Sequence, residues 1–340
     1  MAYPAFVSVP IADVWGEPRE APAEKGTKRL HQLLFNEPVD IVEEKDDFVR
    51  VMFYGVFYQT PTTTEPQCSY WSDKAHFTAY HDLKNKGILP EKVIPPSPDF
   101  RHAAGINNTT NSVMLIKPWY DDTTKQYYSA GTRFAVISRM NNTCTISLFD
   151  PREQQIKTST VPVEVIHAHH VHNARDSFVQ LLRSWAHAKP VIPYLLGGCS
   201  FIIHDMHRSA VDAGFDCSGL IARAAQMCAL PYFFKNSYTI TQQLSSVHAH
   251  QSIQPGDIIW LTGHVMVVSD VKNSLLIEAR GYDHGFGKVH EIALEKVFDG
   301  IKTYDDLMHA VQQKKLLTRL HRNGTKVGVY TEIKLLQLKT

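Results

Sequence analysis

The sequence predicts an α+β protein, because runs typical of strands fill its first half and helical patterns precede further strands in its second half. Residues 1 to about 165 consist mostly of short β-branched or alternating runs between turn-forming residues. This pattern is typical of small β-barrels or sandwiches. From Asn173 onwards, two helical patterns come before a series of antiparallel strands, which is an α+β arrangement.

The first half divides into two predicted β modules, residues 1–95 and 96–166. A short helix is predicted within residues 77–93, and a polar, proline-rich loop that begins at Ile94 marks the boundary near residue 95. The predicted strands are residues 39–43, 48–53, 113–116, 134–138, 144–149 and 161–166.

A third domain is predicted over residues 167–302. Asn173 is a plausible N-cap for a helix with apolar residues at helical spacing, and a second helix is predicted from about Ser218 to Leu230. Strands are expected at 257–261, 264–269 and 275–280. Residues 303–340 are predicted to form an extension with an amphipathic helix and a strand, in which no chemistry is visible.

Composition argues against several classes of protein. The 340 residues include 35 Lys and Arg against 34 Asp and Glu, so no excess charge favours binding to nucleic acid or to an anionic membrane. The amino-terminal residues lack the pattern of a signal peptide, and no apolar run is long enough to span a membrane. We therefore expect a cytoplasmic protein.

Five cysteines without CxxC spacing favour reduced thiols rather than disulfides or a zinc site. A cluster of histidines could bind a metal, since alternate residues of a strand share a face, but it has no carboxylate or thiol ligand nearby. A solvated hinge is the favoured interpretation, and no metal is expected. The cluster consists of His167, His169, His170 and His172.

Cys217 is the candidate nucleophile. It lies where the segment Gly214-Phe-Asp-Cys-Ser-Gly turns into an apolar helix. The unpaired N–H groups and the positive end of the helix dipole favour a thiolate there, and the same N–H groups can bind an oxyanion. The alternative is an ordinary buried cysteine, which is the commoner state of a lone cysteine before an apolar helix.

A cysteine nucleophile needs a base and a group that orients the base. His264 follows Gly263 at the start of an apolar strand, and Glu278 on the next strand could accept its second imidazole hydrogen. Each residue has a simpler interpretation: His264 as an ordinary strand-end histidine, and Glu278 as a surface ion-pair partner of Arg280 or a lysine.

The segment Asp216-Cys-Ser-Gly-Leu, with Pro193-Tyr-Leu-Leu-Gly-Gly before it and Pro255-Gly-Asp and Gly263-His-Val after it, resembles the NlpC-type peptidase pattern. The resemblance covers residues 175 to about 300 and implies a papain-like catalytic domain. It makes Cys217 the nucleophile and His264 the base, with Glu278 in the place of the third catalytic residue.

The first half resembles bacterial SH3-like modules in Ile11-Ala-Asp-Val-Trp, Gln32-Leu-Leu-Phe-Asn-Glu-Pro-Val and Asp47-Phe-Val-Arg-Val. The whole is similar to three-domain γ-D-glutamyl-L-diamino acid endopeptidases. That resemblance implies a murein peptide substrate with a free N-terminal L-alanine and no cofactor.

It also implies a place for Tyr194 beside the reacting carbonyl and contacts from Asp216 and Ser218 to the substrate's amino end. Tyr194 could instead pack beneath a helix, and Asp216 could be a helix N-cap.

The sequence departs from the family pattern at two positions. Leu196 stands where the family often has Trp, and we expect this to alter packing under the cleft. Glu278 stands where the family usually has His or another neutral polar residue, and a carboxylate there is expected to raise the pKa of His264. The alternatives to an endopeptidase are a non-catalytic protein that binds wall peptide or glycan, and an amidase or effector of the same fold that acts on another substrate.

Overall fold

The structure, a computed structural model, describes residues 2–18, 29–53, 57–58, 67–94, 112–167, 173–202, 212–230, 236–248 and 251–338. The chain forms two compact units. The first contains residues 1–56, 67–170 and 197–213, and the second contains residues 57–66, 171–196 and 214–340. Strands predominate in the first unit and helices pack with a sheet in the second, so the predicted α+β class is confirmed.

Among its described residues, the first unit contains two large antiparallel sheets and one short helix. The seven-stranded sheet has the order β3-β2-β6-β5-β4-β1-β7, and the five-stranded sheet has the order β13-β12-β11-β8-β14. The elements are β1 (Tyr3–Val7), β2 (Ile11–Trp15), β3 (Arg29–Leu34), β4 (Pro38–Lys45), β5 (Phe48–Met52), β6 (Ser69–Asp73), β7 (Phe77–Ala79), α1 (Tyr80–Asn85), β8 (Ser112–Leu115), β9 (Trp119–Asp121), β10 (Gln126–Tyr128), β11 (Arg133–Arg139), β12 (Thr143–Asp150), β13 (Gln155–Pro162), β14 (Ile166–His167) and β15 (Cys199–Ser200).

Each of the two sheets contributes side chains to core clusters that it shares with the other sheet. Phe35, which follows β3, packs with Val113 and Phe134 in the core of the second sheet. Phe149 of β12 packs with Phe6 of β1, with ring centroids 6.0 Å apart. Burial of apolar side chains from both sheets in shared clusters therefore joins the two sheets into one compact unit.

Most of the strands predicted in this half are present, but the last one is misplaced. The strand expected at 161–166 ends at Pro162, and residues 163–165 form a 3₁₀ turn. The long strand β13 lies earlier, over residues that are mostly polar and exposed. It pairs with β12 along its whole length, from Asp150 opposite Gln155 to Thr143 opposite Pro162. Pairing with a buried neighbour, rather than its own hydrophobicity, makes this segment a strand.

In the part that the structure describes, the second unit contains a five-stranded antiparallel sheet with the order β20-β19-β18-β17-β23, together with four helices. A further pair, β21 and β22, forms a separate two-stranded ribbon. The elements are α2 (Ala174–Ala186), β16 (Gly214–Phe215), α3 (Cys217–Met227), α4 (Ser237–Gln243), β17 (Ile258–Leu261), β18 (His264–Asp270), β19 (Leu275–Arg280), β20 (Lys288–Ala293), α5 (Tyr304–Gln312), β21 (Leu317–Leu320), β22 (Lys326–Tyr330) and β23 (Ile333–Leu336).

The helix α2 begins where the sequence predicts. The Asn173 side chain accepts hydrogen bonds from the backbone N–H groups of Arg175 and Asp176, as an N-cap does. Its apolar face is buried, and the Trp185 ring stacks on Phe215 with centroids 4.8 Å apart. Because Phe215 lies two residues before Cys217, this contact fixes the approach of the chain to α3.

The segment predicted as a carboxyl-terminal extension belongs to the second unit. Strand β23 pairs with β17, with Ile258 opposite Leu336, and so forms one edge of the five-stranded sheet. Thr303 caps α5 through a reciprocal capping box with Asp306, and Leu307 is fully buried in the core beside that sheet. Residues 303–338 are therefore structural parts of the domain that carries the predicted site.

No helix in the described ranges combines the length and the apolar character needed to cross a membrane.

Candidate active site

Cys217 is the first residue of α3, as the sequence predicts. Asp216 is the N-cap in an extended conformation, and its side chain accepts a hydrogen bond from the backbone N–H of Gly219. A glycine is required at position 214, three residues before Cys217, because a Cβ there would lie 2.5 Å from the carbonyl oxygen of Pro193. Cys217 thus lies at the positive end of a helix whose first N–H groups lack helical partners.

Cys217 is also more accessible than most of the other thiols. Its side chain is partly exposed, whereas Cys144, Cys199 and Cys228 are buried. Burial raises the pKa of Cys228 to about 12 and also raises the pKa of Cys144. These two thiols are therefore protonated at neutral pH, while Cys217 combines access with a helix terminus that favours the thiolate.

His264 and Glu278 meet at one end of two neighbouring strands of the five-stranded sheet. Strands β18 and β19 are antiparallel, with Val267 opposite Ile277, so the start of β18 and the end of β19 lie at the same end of the sheet. The imidazole Nε2 of His264 lies 2.7 Å from the carboxylate Oε2 of Glu278. Glu278 is only 1% exposed. Glu278 is therefore buried rather than on the surface, although Arg280, one of its expected ion-pair partners, does lie beside it.

Three further cationic or titratable side chains face Glu278. Arg319 of β21 donates a hydrogen bond to Oε2, the oxygen that also faces His264. His290 lies opposite Glu278 on β20, with Nε2 3.4 Å from Oε1, and Arg280 Nη1 lies 3.7 Å from the same oxygen. Glu278 is therefore a buried carboxylate surrounded by groups that can carry positive charge.

These surroundings determine the charges of the pair. Burial opposes ionisation of Glu278, but the charge of Arg319, the hydrogen bond from His264 and the nearby imidazole of His290 outweigh it and hold the pKa well below its usual value. For His264, burial and then the charge of Arg319 lower the pKa to about 4, although Glu278 acts in the opposite direction. Glu278 thus has the expected raising effect on the pKa of His264, but burial and the charge of Arg319 outweigh it.

The charge state of Glu278 also selects the tautomer of His264. An ionised carboxylate only accepts hydrogen bonds, so the facing Nε2 must carry a hydrogen. A neutral imidazole with its hydrogen on Nε2 has its lone pair on Nδ1. Nδ1 is therefore the atom of His264 that can act as a base.

Tyr194 connects Cys217 to this end of the sheet. Its backbone N–H donates to the carbonyl of Gly287, and its ring lies 3.6 Å from the Cβ position of Gly281, the residue after β19. Burial raises the pKa of Tyr194, and the nearby negative charges of Cys217 and Asp216 raise it further. Helix α3 packs against both β18 and β19. Cys217, Tyr194, His264 and Glu278 therefore belong to one region of the second unit.

Asp216 and Ser218 have structural partners. The Ser218 hydroxyl donates to Asp216 Oδ1 at 3.0 Å, and the same oxygen accepts the N–H of Gly219. Asp216 is 8% exposed. The N-cap role is present in the structure, and the role in substrate binding stays a prediction. Leu196 is 55% exposed, and the expected change in packing under the cleft stays a prediction.

Arg319 and His290 were missed from the sequence, and Arg280 was considered only as a surface ion-pair partner of Glu278. The spacing of Arg280 offers a signal, because it lies two residues after Glu278 and so projects from the same face of β19. Arg319 offers another, since it interrupts the short apolar strand Leu317-Thr-Arg-Leu at an inward-facing position. His290 lies in a strand that was not predicted.

The histidine cluster falls mostly outside the described residues, since His169, His170 and His172 are not among them and His167 ends β14. Within the described ranges, no group of three or more His, Cys, Asp or Glu side chains has an arrangement suited to a metal ion.

Solved structures provide the comparison with known proteins. No family model matches the sequence, and no curated protein matches it either. Two NlpC proteins from Trichomonas vaginalis are 13% identical over 87% of this chain, covering 94% and 89% of their own chains, but their TM-scores of 0.35 and 0.36 are too low to support an argument.

An NlpC/P60 family protein from Bacillus cereus is much more similar in structure. The match has a TM-score of 0.60 and covers 86% of this chain and 94% of the other, at 16% identity. An identity this low is evidence about the fold rather than about the activity. The chain therefore has the fold of an NlpC/P60 family protein.

Proposed function

We propose that the chain is a cysteine hydrolase of the NlpC type that cleaves the bond between D-glutamate, through its γ-carboxyl group, and the diamino acid of murein peptides. The observation that carries this proposal is the hydrogen bond between His264 Nε2 and Glu278 Oε2, at the end of the two strands against which the helix that begins with Cys217 packs. Such a set provides the nucleophile, the base and the orienting group that acyl transfer by a thiol requires.

In the proposed reaction, the sulfur of Cys217 attacks the γ-glutamyl carbonyl carbon while Nδ1 of His264 accepts the thiol proton. The N–H groups at the start of α3 are suited to bind the oxyanion of the tetrahedral intermediate. His264 then gives its proton to the departing amine as the C–N bond breaks, which leaves a thioester on Cys217. Water, deprotonated by His264, then attacks the thioester carbonyl. The C–S bond breaks, Cys217 leaves and takes the proton back from His264, and the D-glutamyl peptide is released and ionises to its carboxylate.

The proposal assigns substrate contacts to two further residues. Tyr194 would lie beside the reacting carbonyl, and its raised pKa keeps the phenol protonated as a hydrogen-bond donor. Asp216 would attract the free ammonium of an N-terminal L-alanine while it caps α3. Both roles derive from the resemblance of the motifs to NlpC-type peptidases.

The proposal also includes SH3-like modules in the first unit, a cytoplasmic location, and recycling of small murein peptides rather than attack on intact wall. The five-stranded and seven-stranded antiparallel sheets are compatible with small β-barrel modules. Fractionation of cells with an antibody against the chain tests the location.

Incubation of the purified chain with L-Ala-γ-D-Glu-diaminopimelate, followed by mass spectrometry, tests the reaction. We expect release of L-Ala-D-Glu by the wild type and by Cys228→Ala, a matched variant of a buried thiol, and no release by Cys217→Ala. A folded wild type that binds the peptide without cleaving it would support a binding protein instead. Cleavage only of other amides would support an amidase or effector.

A further inference from the structure

The carboxyl-terminal part of the second unit contributes a charged side chain to the site. Arg319 lies on β21 and is 3% exposed. Its Nη2 donates to Glu278 Oε2, the same oxygen that lies 2.7 Å from His264 Nε2. One carboxylate oxygen is therefore shared between a guanidinium and the proposed catalytic imidazole.

The backbone around Arg319 is held firmly. The carbonyl of Thr318 accepts a hydrogen bond from the N–H of Asp299, and the N–H of Leu320 donates to the carbonyl of Val297. Leu317 is buried in the core cluster beside the sheet. Because residues on both sides of Arg319 are anchored, its guanidinium has little freedom to follow Glu278 if that side chain rotates.

The cluster contains more positive than negative charge. Arg280 projects from the same strand as Glu278, its Nη2 donates to the carbonyl of Leu320 at 2.7 Å, and its guanidinium lies 4.9 Å from the Phe286 ring centroid. Two buried guanidinium groups thus surround one carboxylate, so an imidazolium at His264 would add a third positive charge. The other titratable groups that interact with this cluster are His284, His290, Asp283 and Tyr330.

We propose that Arg319 is a positioning residue of the thiol hydrolase, which acts through Glu278 to fix the orientation and the charge state of His264. This inference rests on the proposed function and extends it. The Arg319 hydrogen bond locks the carboxylate in the rotamer that meets Nε2. The guanidinium charge offsets the carboxylate's tendency to attract a proton onto the imidazole, so Nδ1 keeps its lone pair at neutral pH.

The direction of the His264 pKa agrees with this arrangement. Burial is the largest cause that lowers the pKa of His264, and the charge of Arg319 is the next. Without Arg319, less positive charge opposes the raising effect of Glu278 on the pKa of His264, and that pKa should then rise.

The test measures the titration of His264 by NMR of histidine labelled with carbon-13 on the ring. Cys217→Ala is the parent, so that no thiol titrates nearby, and His264→Asn identifies the signal by its loss. We expect Arg319→Met to raise the titration midpoint by about one pH unit or more. The control is Arg175→Met, because Arg175 also binds a buried carboxylate, Asp257, at 2.9 Å, and should leave the midpoint unchanged.

Arg319→Lys provides a second variant that keeps the charge. It should leave the midpoint near that of the parent, and with Cys217 present it should lower kcat severalfold without a matching rise in KM, because lysine lacks the planar fork that holds Glu278. Arg319→Met should lower kcat by about tenfold at neutral pH. An unchanged midpoint in Arg319→Met would overturn the inference, as would a raised midpoint in Arg319→Lys or parental kcat in both variants.

The NMR measurement needs no substrate, so the two proposals can fail separately. A shifted midpoint together with a wild type that cleaves no murein peptide would reject the proposed function and keep the link from Arg319 to His264. An active wild type with an unchanged midpoint in Arg319→Met would reject the inference alone.

Discussion

Asp121 in the first unit and Glu278 in the second are both 1% exposed, yet their partners differ in kind. Asp121 accepts hydrogen bonds from the backbone of Thr123 and Thr124, from the Thr124 hydroxyl at 2.6 Å, and from the hydroxyl of Ser159. Every one of these donors is neutral, and most belong to the turn that follows Asp121. This carboxylate therefore stabilises a local turn.

Glu278, by contrast, faces two guanidinium groups and two imidazoles from four different strands. A buried carboxylate can be satisfied by neutral donors at a turn, as Asp121 shows, so charged partners are not needed for stability alone. Charged groups are costly to bury, and they are typically found together where a function depends on their pKa values. The comparison indicates that Asp121 serves the fold and that Glu278 serves His264.

The largest expected effect belongs to the imidazole that Glu278 contacts. His264→Asn should lower kcat/KM by at least about a thousandfold, because the base that accepts and returns the proton is lost. The exposed His309 of α5 provides the control, and His309→Asn should retain wild-type turnover. Assays on the murein tripeptide measure both. Loss of less than tenfold in His264→Asn would remove His264 from the mechanism.

The second prediction concerns pH. The base is active when neutral, and burial together with Arg319 lowers the pKa of His264 to about 4, so the acid limb of kcat/KM should fall near that pH. At about pH 4.5 the enzyme should be roughly a hundredfold more active than one with an ordinary histidine base. Circular dichroism at each pH checks that the chain is folded. An acid limb near pH 6.5 would contradict the charge arrangement around Glu278.

A matched pair of variants tests the comparison of the two carboxylates directly. Glu278→Gln should lower turnover by at least about tenfold, because the orienting charge is lost. Asp121→Asn should lower the melting temperature but leave the turnover of the folded fraction unchanged, because a turn loses a hydrogen-bond acceptor. Thermal unfolding and turnover are measured on both proteins. Equal turnover in the two variants would show that Glu278 contributes no more to catalysis than Asp121 does.

The smallest effect concerns Asp216, which caps α3 and is proposed to bind the substrate's ammonium. Asn is as good an N-cap as Asp, so Asp216→Asn should leave stability nearly unchanged. It should raise KM by up to about tenfold for the peptide with a free N-terminus, and should have no effect on the N-acetylated peptide. An equal change for both peptides would leave Asp216 with its cap role alone.

The sequence predicted the local features of the site well. The helix after Asp216, the strand that begins at His264 and the strand that carries Glu278 all follow from apolar periodicity and turn residues close to each position. Such patterns depend on neighbours in the chain. Pairing of His264 with Glu278 could be anticipated because their strands are consecutive.

The surroundings of Glu278 could not be predicted in the same way. Arg319 reaches Glu278 across a separation of 41 residues, through a ribbon outside the main sheet, and no local pattern specifies that contact. The lowered pKa of His264 could not be anticipated for the same reason. The expected raising effect of Glu278 is present, but burial and the two arginines, which no local pattern places beside His264, outweigh it. The β13 strand was missed because its polar sequence depends on pairing with β12.

The central claim is that one thiol performs the reaction, and graded alkylation tests it most directly. The chain is treated with increasing iodoacetamide, the modified fraction of each cysteine peptide is measured by mass spectrometry, and the release of L-Ala-D-Glu is assayed on the same samples. The account predicts that lost activity equals the modified fraction of Cys217, while buried Cys144, Cys199 and Cys228 stay unmodified. Full activity with Cys217 completely alkylated would contradict it.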